Sequence, residues 1–288
     1  MGKHTWIIAG LVALIAIYSC SISNPHECVI RIGTYNLKDF FDAVDDPHHA
    51  DDAFITADRL DAISQVINSA NCDILALQEV ENLELLEWFN DTCLDEPYPV
   101  VILEEGNDPR GIDVALLSRI SIDSVTSYSD RVIYDDLNDR NYRFSRDLLT
   151  VTASDSEGEQ WVFMVTHLKS GIDEEDFRKR DLQVEEIREI IFEDDFMGNF
   201  RNGNLVLMCD LNAEPWSEVM DKLRGVPFSD PGRDYPYRET HRNGKVLDYI
   251  LLSPDADKSY LAGSYSIFLD DPAVMASDHY LVSVDLLF

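Results

Sequence analysis

The chain is short of positive charge. Its 288 residues include 7 Lys and 16 Arg against 36 Asp and 19 Glu, for a formal net charge of −32. So few bases argue against long-range attraction to nucleic acid or to anionic membranes. Cysteine is scarce as well. Cys20, Cys28, Cys72, Cys93 and Cys209 include no Cys-x-x-Cys pair, which argues against a zinc site. No phosphate-cradling P-loop and no Gly-x-Ser-x-Gly elbow occur. The apolar run Trp6–Tyr18 covers thirteen residues, whereas a membrane-spanning helix needs about 20.

The rest of the composition excludes a disordered acidic chain. Hydrophobic residues make up 45% and aromatics 10%, enough to fill a sizeable core. Acidity of this degree suits a high-salt habitat, where hydrated carboxylates keep a protein soluble. At about 1 M salt the Debye length is only roughly 3 Å, so the mutual repulsion is screened. An acidic secreted protein is the alternative.

Residues 1–20 read as a signal for export rather than part of the fold. Lys3 and His4 precede the short apolar run, and a polar linker, 21–28, follows it. Ile17-Tyr18-Ser19-Cys20 resembles a lipobox, in which Cys20 becomes a lipidated N-terminus and holds the protein at a membrane surface. A simple cleaved signal and an uncleaved anchor are the alternatives. Either export route allows a disulfide, and Cys72–Cys93 would close a loop around one predicted helix. Cys209 lies in an apolar strand pattern and reads as a buried free thiol.

Residues 29–288 alternate strand-like and helix-like segments with no internal repeat, as in a single domain and a monomer. Strands are predicted at 29–35, 74–78, 98–103, 113–118, 147–153, 161–167, 205–209, 246–252 and 280–287. Helices are predicted at 58–70, 83–92 and 173–192. The mixture suggests an α/β domain with two packed sheets. The acidic stretches Asp39–Asp52 and Ser127–Asn141 read as irregular loops.

Polar residues recur at the ends of these strands. Asn36, Gln78-Glu79, His167 and Asp210-Leu211-Asn212 each follow an apolar run. Asp248 and Ser277-Asp278-His279 each precede one. Strand ends along one sheet edge converge on a cleft. Carboxylates with amides make an oxygen-rich site for a hard cation such as Mg²⁺ or Mn²⁺. Such an ion polarises a phosphoryl oxygen, an Asp aligns or deprotonates water, and an Asp-buttressed His contacts phosphate as a cation.

At these residues the sequence resembles the endonuclease/exonuclease/phosphatase superfamily, which includes pancreatic-type deoxyribonucleases, abasic-site endonucleases, bacterial sphingomyelinases and inositol-phosphate phosphatases. The matching blocks are GTYNLKDFF (33–41), DILALQEVEN (73–82), RGIDVALLSR (110–119), FSRDLLTV (144–151), THLKS (166–170), CDLNAEP (209–215), LDYILLSP (247–254) and SDHYLV (277–282). The resemblance implies a four-layer α/β sandwich with two packed central mixed β-sheets and the site between them. It implies Glu79 as the main metal ligand, with Asn36 and Asp278 in the metal region. It implies that Asp210 positions the attacking water and that Asn212 holds the water or the phosphate. His279, paired with Asp248, would contact the scissile phosphate, and His167 would lie near the leaving group. Arg110, Arg146, Lys169 and Arg180 sit beside these blocks as candidate phosphate contacts. Arg146 has an equal claim to pairing with carboxylates at the sheet edge. The segment Arg178-Lys179-Arg180, on a charged helix, reads as solvated surface. Cys209 stands where the family commonly has Gly, which an ordinary backbone angle tolerates.

The implied activity is metal-dependent hydrolysis of phosphodiesters, with extracellular DNA or RNA as the substrate. Two alternatives stay open. One is a phosphatase or phospholipid phosphodiesterase, whose small substrate needs no extended basic groove. The other is a non-catalytic surface binding protein on the same fold.

Overall fold

The computed structural model describes residues 28–44, 54–193, 203–236 and 238–288. The predicted export signal with Cys20, and the linker up to residue 27, lie outside the described residues. So does most of the acidic stretch after Asp39.

In chain order the strands are β1 (Val29–Phe40), β2 (Ile74–Val80), β3 (Val100–Leu103), β4 (Asp113–Ser118), β5 (Ser124–Thr126), β6 (Ile133–Asp135), β7 (Arg140–Tyr142), β8 (Leu148–Ser154), β9 (Gln160–His167), β10 (Asn204–Asp210), β11 (Asp248–Leu252), β12 (Ser266–Ile267) and β13 (Val282–Leu287). The helices are α1 (Ala57–Ala70), α2 (Leu83–Cys93), α3 (Glu174–Phe192), α4 (Glu218–Arg224) and α5 (Asp271–Ala276). One six-stranded sheet runs β12-β13-β1-β2-β4-β3, and one five-stranded sheet runs β11-β10-β9-β8-β5. Both are mixed: β1 is parallel to β2 and β9 to β10, while their other pairings are antiparallel.

The period of two along each strand sorts the apolar side chains into layers. Ile30, Ile32, Ile74, Ala76, Val114 and Leu116 of the first sheet meet Val151, Phe163, Val165, Val206, Met208 and Ile250 of the second. The outer face of the first sheet, with Leu75 and Leu77, packs on Ile63 and Ile67 of α1 and on Leu86 and Phe89 of α2. The outer face of the second, with Val162, Met164 and Leu207, packs on Val184, Ile187 and Ile191 of α3 and on Leu223 of α4. Helix, sheet, sheet, helix is the four-layer sandwich expected from the sequence.

Several elements depart from expectation. β1 runs five residues past the predicted Tyr35, as far as Phe40. The stretch Ser127–Asn141 is not wholly irregular, since it carries most of the hairpin β6–β7. Arg178 of α3 ties that hairpin down through Asp135 at 2.8 Å. Helices α4 and α5 are too short to have shown helical periodicity in the sequence. The proposed Cys72–Cys93 disulfide is not formed, and both thiols are free. Cys72 is fully buried and its Sγ fills the space over Gly33, where a Cβ would approach it to 2.7 Å. Cys209 is a buried free thiol, as expected.

Candidate active site

The inner-facing positions that are apolar along most of each strand become polar at one end. On β1 the series Ile30, Ile32 continues to Thr34 and Asn36, and on β2 Ile74, Ala76 continues to Gln78. On β9 the series Phe163, Val165 ends at His167, and on β10 Val206, Met208 ends at Asp210. Asp248 opens β11 on the same face as Ile250. The register sets His167, Asp210 and Asp248 side by side, because Asp210 pairs with both of the others. The two parallel pairs therefore end at one edge of the sandwich, and the site lies there.

Glu79 breaks the alternation. Its odd position on β2 would point it outward with Leu75 and Leu77. Instead it adopts a left-handed backbone, φ 62°, at a register shift between Gln78 and Val80. This extra residue turns the carboxylate inward, and Val80 resumes the outward face. Opposite it, β1 bulges between Asn36 and Phe40, with Lys38 and Asp39 also left-handed at φ 60° and 44°. The backbone N–H of Asp39 donates to Glu79 Oε2 at 2.9 Å. Arg59 of α1 holds the bulge from outside, donating to the carbonyls of Leu37, Lys38, Asp39 and Ala276. Three non-glycine residues in this conformation, held by so many bonds, mark a geometry kept for the site.

The floor is a chain of short contacts. The Asn36 amide N–H₂ group donates to Asp210 Oδ2 at 2.9 Å and faces Glu79 Oε1 at 3.3 Å. His279 Nδ1 lies 3.0 Å from both oxygens of Asp248, and its Nε2 lies 3.8 Å from Asp210 Oδ2. His167 Nε2 is 3.4 Å from the same Asp210 oxygen. The Asn212 backbone N–H donates to Asp210 Oδ1 at 2.8 Å, and its side chain to the Leu168 carbonyl at 3.1 Å. Ser277 fixes the last block to the first: its Oγ donates to the Asn36 carbonyl at 2.8 Å and accepts from the His279 N–H at 3.1 Å. The sequence-predicted residues Asn36, Glu79, His167, Asp210, Asn212, Asp248, Asp278 and His279 thus share one cleft.

Their electrostatics differ in kind. Burial works against a charge on His279, but the carboxylates of Asp248 and Asp210 outweigh it and push its pKa up to about 10. His279 is therefore a cation near neutral pH. His167 goes the other way: complete burial, helped by the nearby Arg146 and His279 charges, drives it well below its usual value. It is neutral. Burial also raises Asp210, with Asp248 adding to the rise and His279 opposing it.

The oxygen donors suit a hard divalent cation. Asp278 Oδ1 is buried and unpartnered, and the Asn36 N–H₂ group lies between two carboxylates that a cation would otherwise neutralise. Glu79, Asn36 and Asp278 are the residues that would hold such an ion.

The basic residues flanking the site are placed differently from expectation. Arg146 is 1% exposed, with Nη2 on Asp108 at 2.9 Å and Nη1 on the Leu168 carbonyl at 3.2 Å. Arg180 is also buried, and donates to the carbonyls of Lys169 and Gly171 at 2.7 and 2.6 Å. Both support the loop beside His167; Arg146 is closed off from the cleft by its burial, whereas Arg180 still lines the groove next to Asn212. Nor is the segment 178–180 solvated surface, since Arg178 is bound to Asp135 and Asp136. Lys169 reaches Asp176 at 3.0 Å, and Arg110 reaches Asp108 and Asp39 at 3.2 and 3.6 Å. These two stay partly exposed.

Sequence reasoning missed Arg59 and His241, and named Ser277 among the strand-end residues without giving it a role. Arg59 and Ser277 position the floor, as described. His241 lies over it, its ring edge-on to that of His279 with centroids 4.5 Å apart. Beside Asn212 opens a groove of about 480 Å³, with Ile172, Phe177, Trp216 and Lys245 on its walls. Trp216, Ile172 and Phe177 are 74%, 82% and 53% exposed.

Comparisons with known proteins agree with this architecture. Residues 31–231 match the model of the endonuclease/exonuclease/phosphatase family. The structure is similar to an endonuclease/exonuclease/phosphatase from Bacteroides vulgatus, with 19% identity and a TM-score of 0.63 over 90% of this chain and 98% of that one. It is similar to the human Nocturnin catalytic domain, with 19% identity and a TM-score of 0.60 over 90% and 94%. The mannosyl-6-phosphatase Bt3783 of Bacteroides thetaiotaomicron shares 16% identity and a TM-score of 0.59 over 90% and 100%. No curated protein matched the sequence. With the family match covering most of the chain, and the strand-end residues gathered in one cleft, the protein belongs to the endonuclease/exonuclease/phosphatase family, whose members hydrolyse phosphoester bonds.

Proposed function

We propose that the protein is a metal-dependent phosphodiester hydrolase, an exported or surface-anchored nuclease that cleaves DNA or RNA. The observation that carries the hydrolase reading is the pairing of a cationic His279, backed by Asp248, with the buried carboxylate of Asp210 across one small cleft. The raised Asp210 carboxylate is a stronger base toward a bound water, and the Asn212 N–H fixes its orientation. His279 presents Nε2–H to a phosphoryl oxygen and stabilises charge that builds up in the transition state. Neutral His167 lies where a leaving oxygen would need a hydrogen bond. Mg²⁺ or Mn²⁺ held by Glu79, Asn36 and Asp278 would supply Lewis-acid polarisation of the phosphate.

The choice of nucleic acid rests on the groove beside Asn212. Its exposed indole and phenyl faces suit the stacking of unpaired bases next to the scissile phosphate, a contact worth about 1–3 kcal/mol per base. A second reading, a small phosphoester or phospholipid substrate, is favoured by the charge of −32 and by the engagement of the flanking arginines. A non-catalytic binding protein is the remote alternative, and the intact floor speaks against it. Export and lipidation at Cys20 belong to the same reading and rest on the N-terminal sequence alone.

The test is to incubate the protein with plasmid, single-stranded DNA, RNA and a phosphodiester dye, with Mg²⁺ and then with chelator. Mg²⁺-dependent strand cleavage is the expected result. Dye cleavage with intact nucleic acid moves the assignment to a small substrate. Inactivity toward every phosphoester, at low and high salt, sinks both enzyme readings.

A further inference from the structure

His241 lies in the segment between α4 and β11, with no aliphatic pattern around it. The structure nevertheless fixes it tightly. Its N–H donates to the Lys245 carbonyl, and its backbone forms an antiparallel bridge with His279. On either side, Tyr280 N–H donates to the Thr240 carbonyl at 2.8 Å and Arg242 N–H to that of Asp278 at 2.9 Å. The buried Thr240 Oγ1 accepts from the N–H groups of Leu247 and Asp248. The imidazole is thus mounted on the same framework as the His279–Asp248 pair.

The ring's tautomer follows from one bond. His241 Nδ1 accepts from the Asn243 backbone N–H at 3.0 Å. A nitrogen that accepts carries no proton, so the proton is on Nε2. A second proton at Nδ1 would set two donors against each other. Nε2–H points toward Asp278, but Oδ2 lies 3.7 Å away, beyond hydrogen-bond reach. The side chain is 16% exposed. A nitrogen from each imidazole and an Asp278 oxygen lie within 4.8 Å of one another. A metal ion on His241 Nε2 would need the opposite tautomer and the loss of the Asn243 bond. The arrangement is a donor aimed at whatever sits between Asp278 and His279.

We propose that His241 is a substrate-contacting catalytic residue, a fixed Nε2–H donor to a non-bridging phosphoryl oxygen on the face of the phosphate next to the one bound by His279. The two rings then grip one phosphate edge to face, His279 with charge and His241 with a directed hydrogen bond. The proposal rests on the phosphoester-hydrolase reading but names a contact with the phosphate itself, which is testable without turnover.

The experiment uses the full chain with ¹⁵N-labelled histidine and long-range ¹H–¹⁵N spectra, with Mg²⁺ and inorganic phosphate as the probe. The expected result is a neutral Nε2–H tautomer for His241 and a downfield shift of that proton on adding phosphate. An Nδ1–H tautomer overturns the proposal. So does loss of the Nε2 proton with Mg²⁺ alone, which would make the ring a metal ligand, or a phosphate response confined to His279. His241→Phe keeps a ring against His279 and removes the donor, and should weaken phosphate binding about tenfold, the scale of one hydrogen bond to a charged group. His241→Gln returns an amide N–H near the same place and should recover most of that loss. Phosphate affinity unchanged in a folded His241→Phe also sinks the assignment. On any phosphoester the enzyme cleaves, His241→Phe should lower kcat by about 100-fold while KM changes less. Failure of the wild type on every phosphoester removes the hydrolase reading but leaves the phosphate titration to decide on His241.

Discussion

The floor of the cleft and its basic flank treat charge in opposite ways. On the floor, Glu79, Asp210, Asp248 and Asp278 crowd around one protonated imidazole, and Asp278 keeps a buried oxygen with no partner. On the flank, Arg146, Arg180, Lys169 and Arg110 are each engaged by a carboxylate or a carbonyl. The same chain that pairs its arginines a few residues away leaves its acids short of counter-charge at the centre. That imbalance costs stability and is the physical signature of a place reserved for a cation and a phosphate. It also sharpens the meaning of the overall acidity, because Arg146 is spent internally and Arg110, Lys169 and Arg180 each share their charge with a nearby carboxylate or carbonyl instead of forming a free positive track.

The comparison can be broken most directly at the floor. Asp210→Asn and His279→Gln should each lower turnover by about 10²–10⁴-fold while the thermal unfolding transition stays within a few degrees. Wild-type rates in either variant would move the chemistry elsewhere. Saturating Mg²⁺ should raise the melting temperature, since a ligand that binds only the folded state stabilises it. Glu79→Gln should remove most of that rise, as read by scanning calorimetry with and without chelator.

On the flank the effect should appear in stability first. Arg146→Met leaves the buried Asp108 with only the partly exposed Arg110 as its cation and should cost up to about 3–5 kcal/mol in denaturant unfolding. Adding Asp108→Asn should recover part of it. Asp113 gives a pH-dependent version of the same idea. Burial, only partly offset by the Gly106 N–H bond, lifts its pKa to about 7. The folded state therefore holds this proton more tightly than the unfolded chain does. Stability should rise as pH falls from about 7 toward the usual carboxylate range, by up to a few kcal/mol from this group. Asp113→Asn should flatten that slope between pH 8 and 5. The smallest effect is expected for Lys169→Ala. Its pair with Asp176 is partly exposed, so stability should change by less than about 1 kcal/mol. A turnover loss of a hundredfold would instead mean that Lys169 leaves Asp176 to meet the phosphate.

The parts of the site legible in the sequence are those that follow the period of two. His167, Asp210 and Asp248 stand where inner-facing apolar residues give way to polar ones, so strand reading alone puts them at one edge. Glu79 has the wrong parity, and only its motif identified it; the bulge that turns it inward is a backbone event with no composition signal. Arg59 acts through carbonyls up to 217 residues away, and His241 through a turn, so neither leaves a pattern in its own neighbourhood. For the arginines the charge was readable but the partner was not. Arg146 and Asp108 are 38 positions apart, and nothing local says that they meet.

The pairing of β1 with β13 on one side and β2 on the other has a consequence for synthesis. A chain made only as far as residue 270 lacks Asp278, His279 and the strand that covers one edge of β1. Asn36 and Glu79 are already present, but the acid-backed imidazole is not. The nascent protein thus carries no complete cleft floor until the segment before its last strand is made, so any phosphoester hydrolysis at this cleft has to wait for the end of the chain.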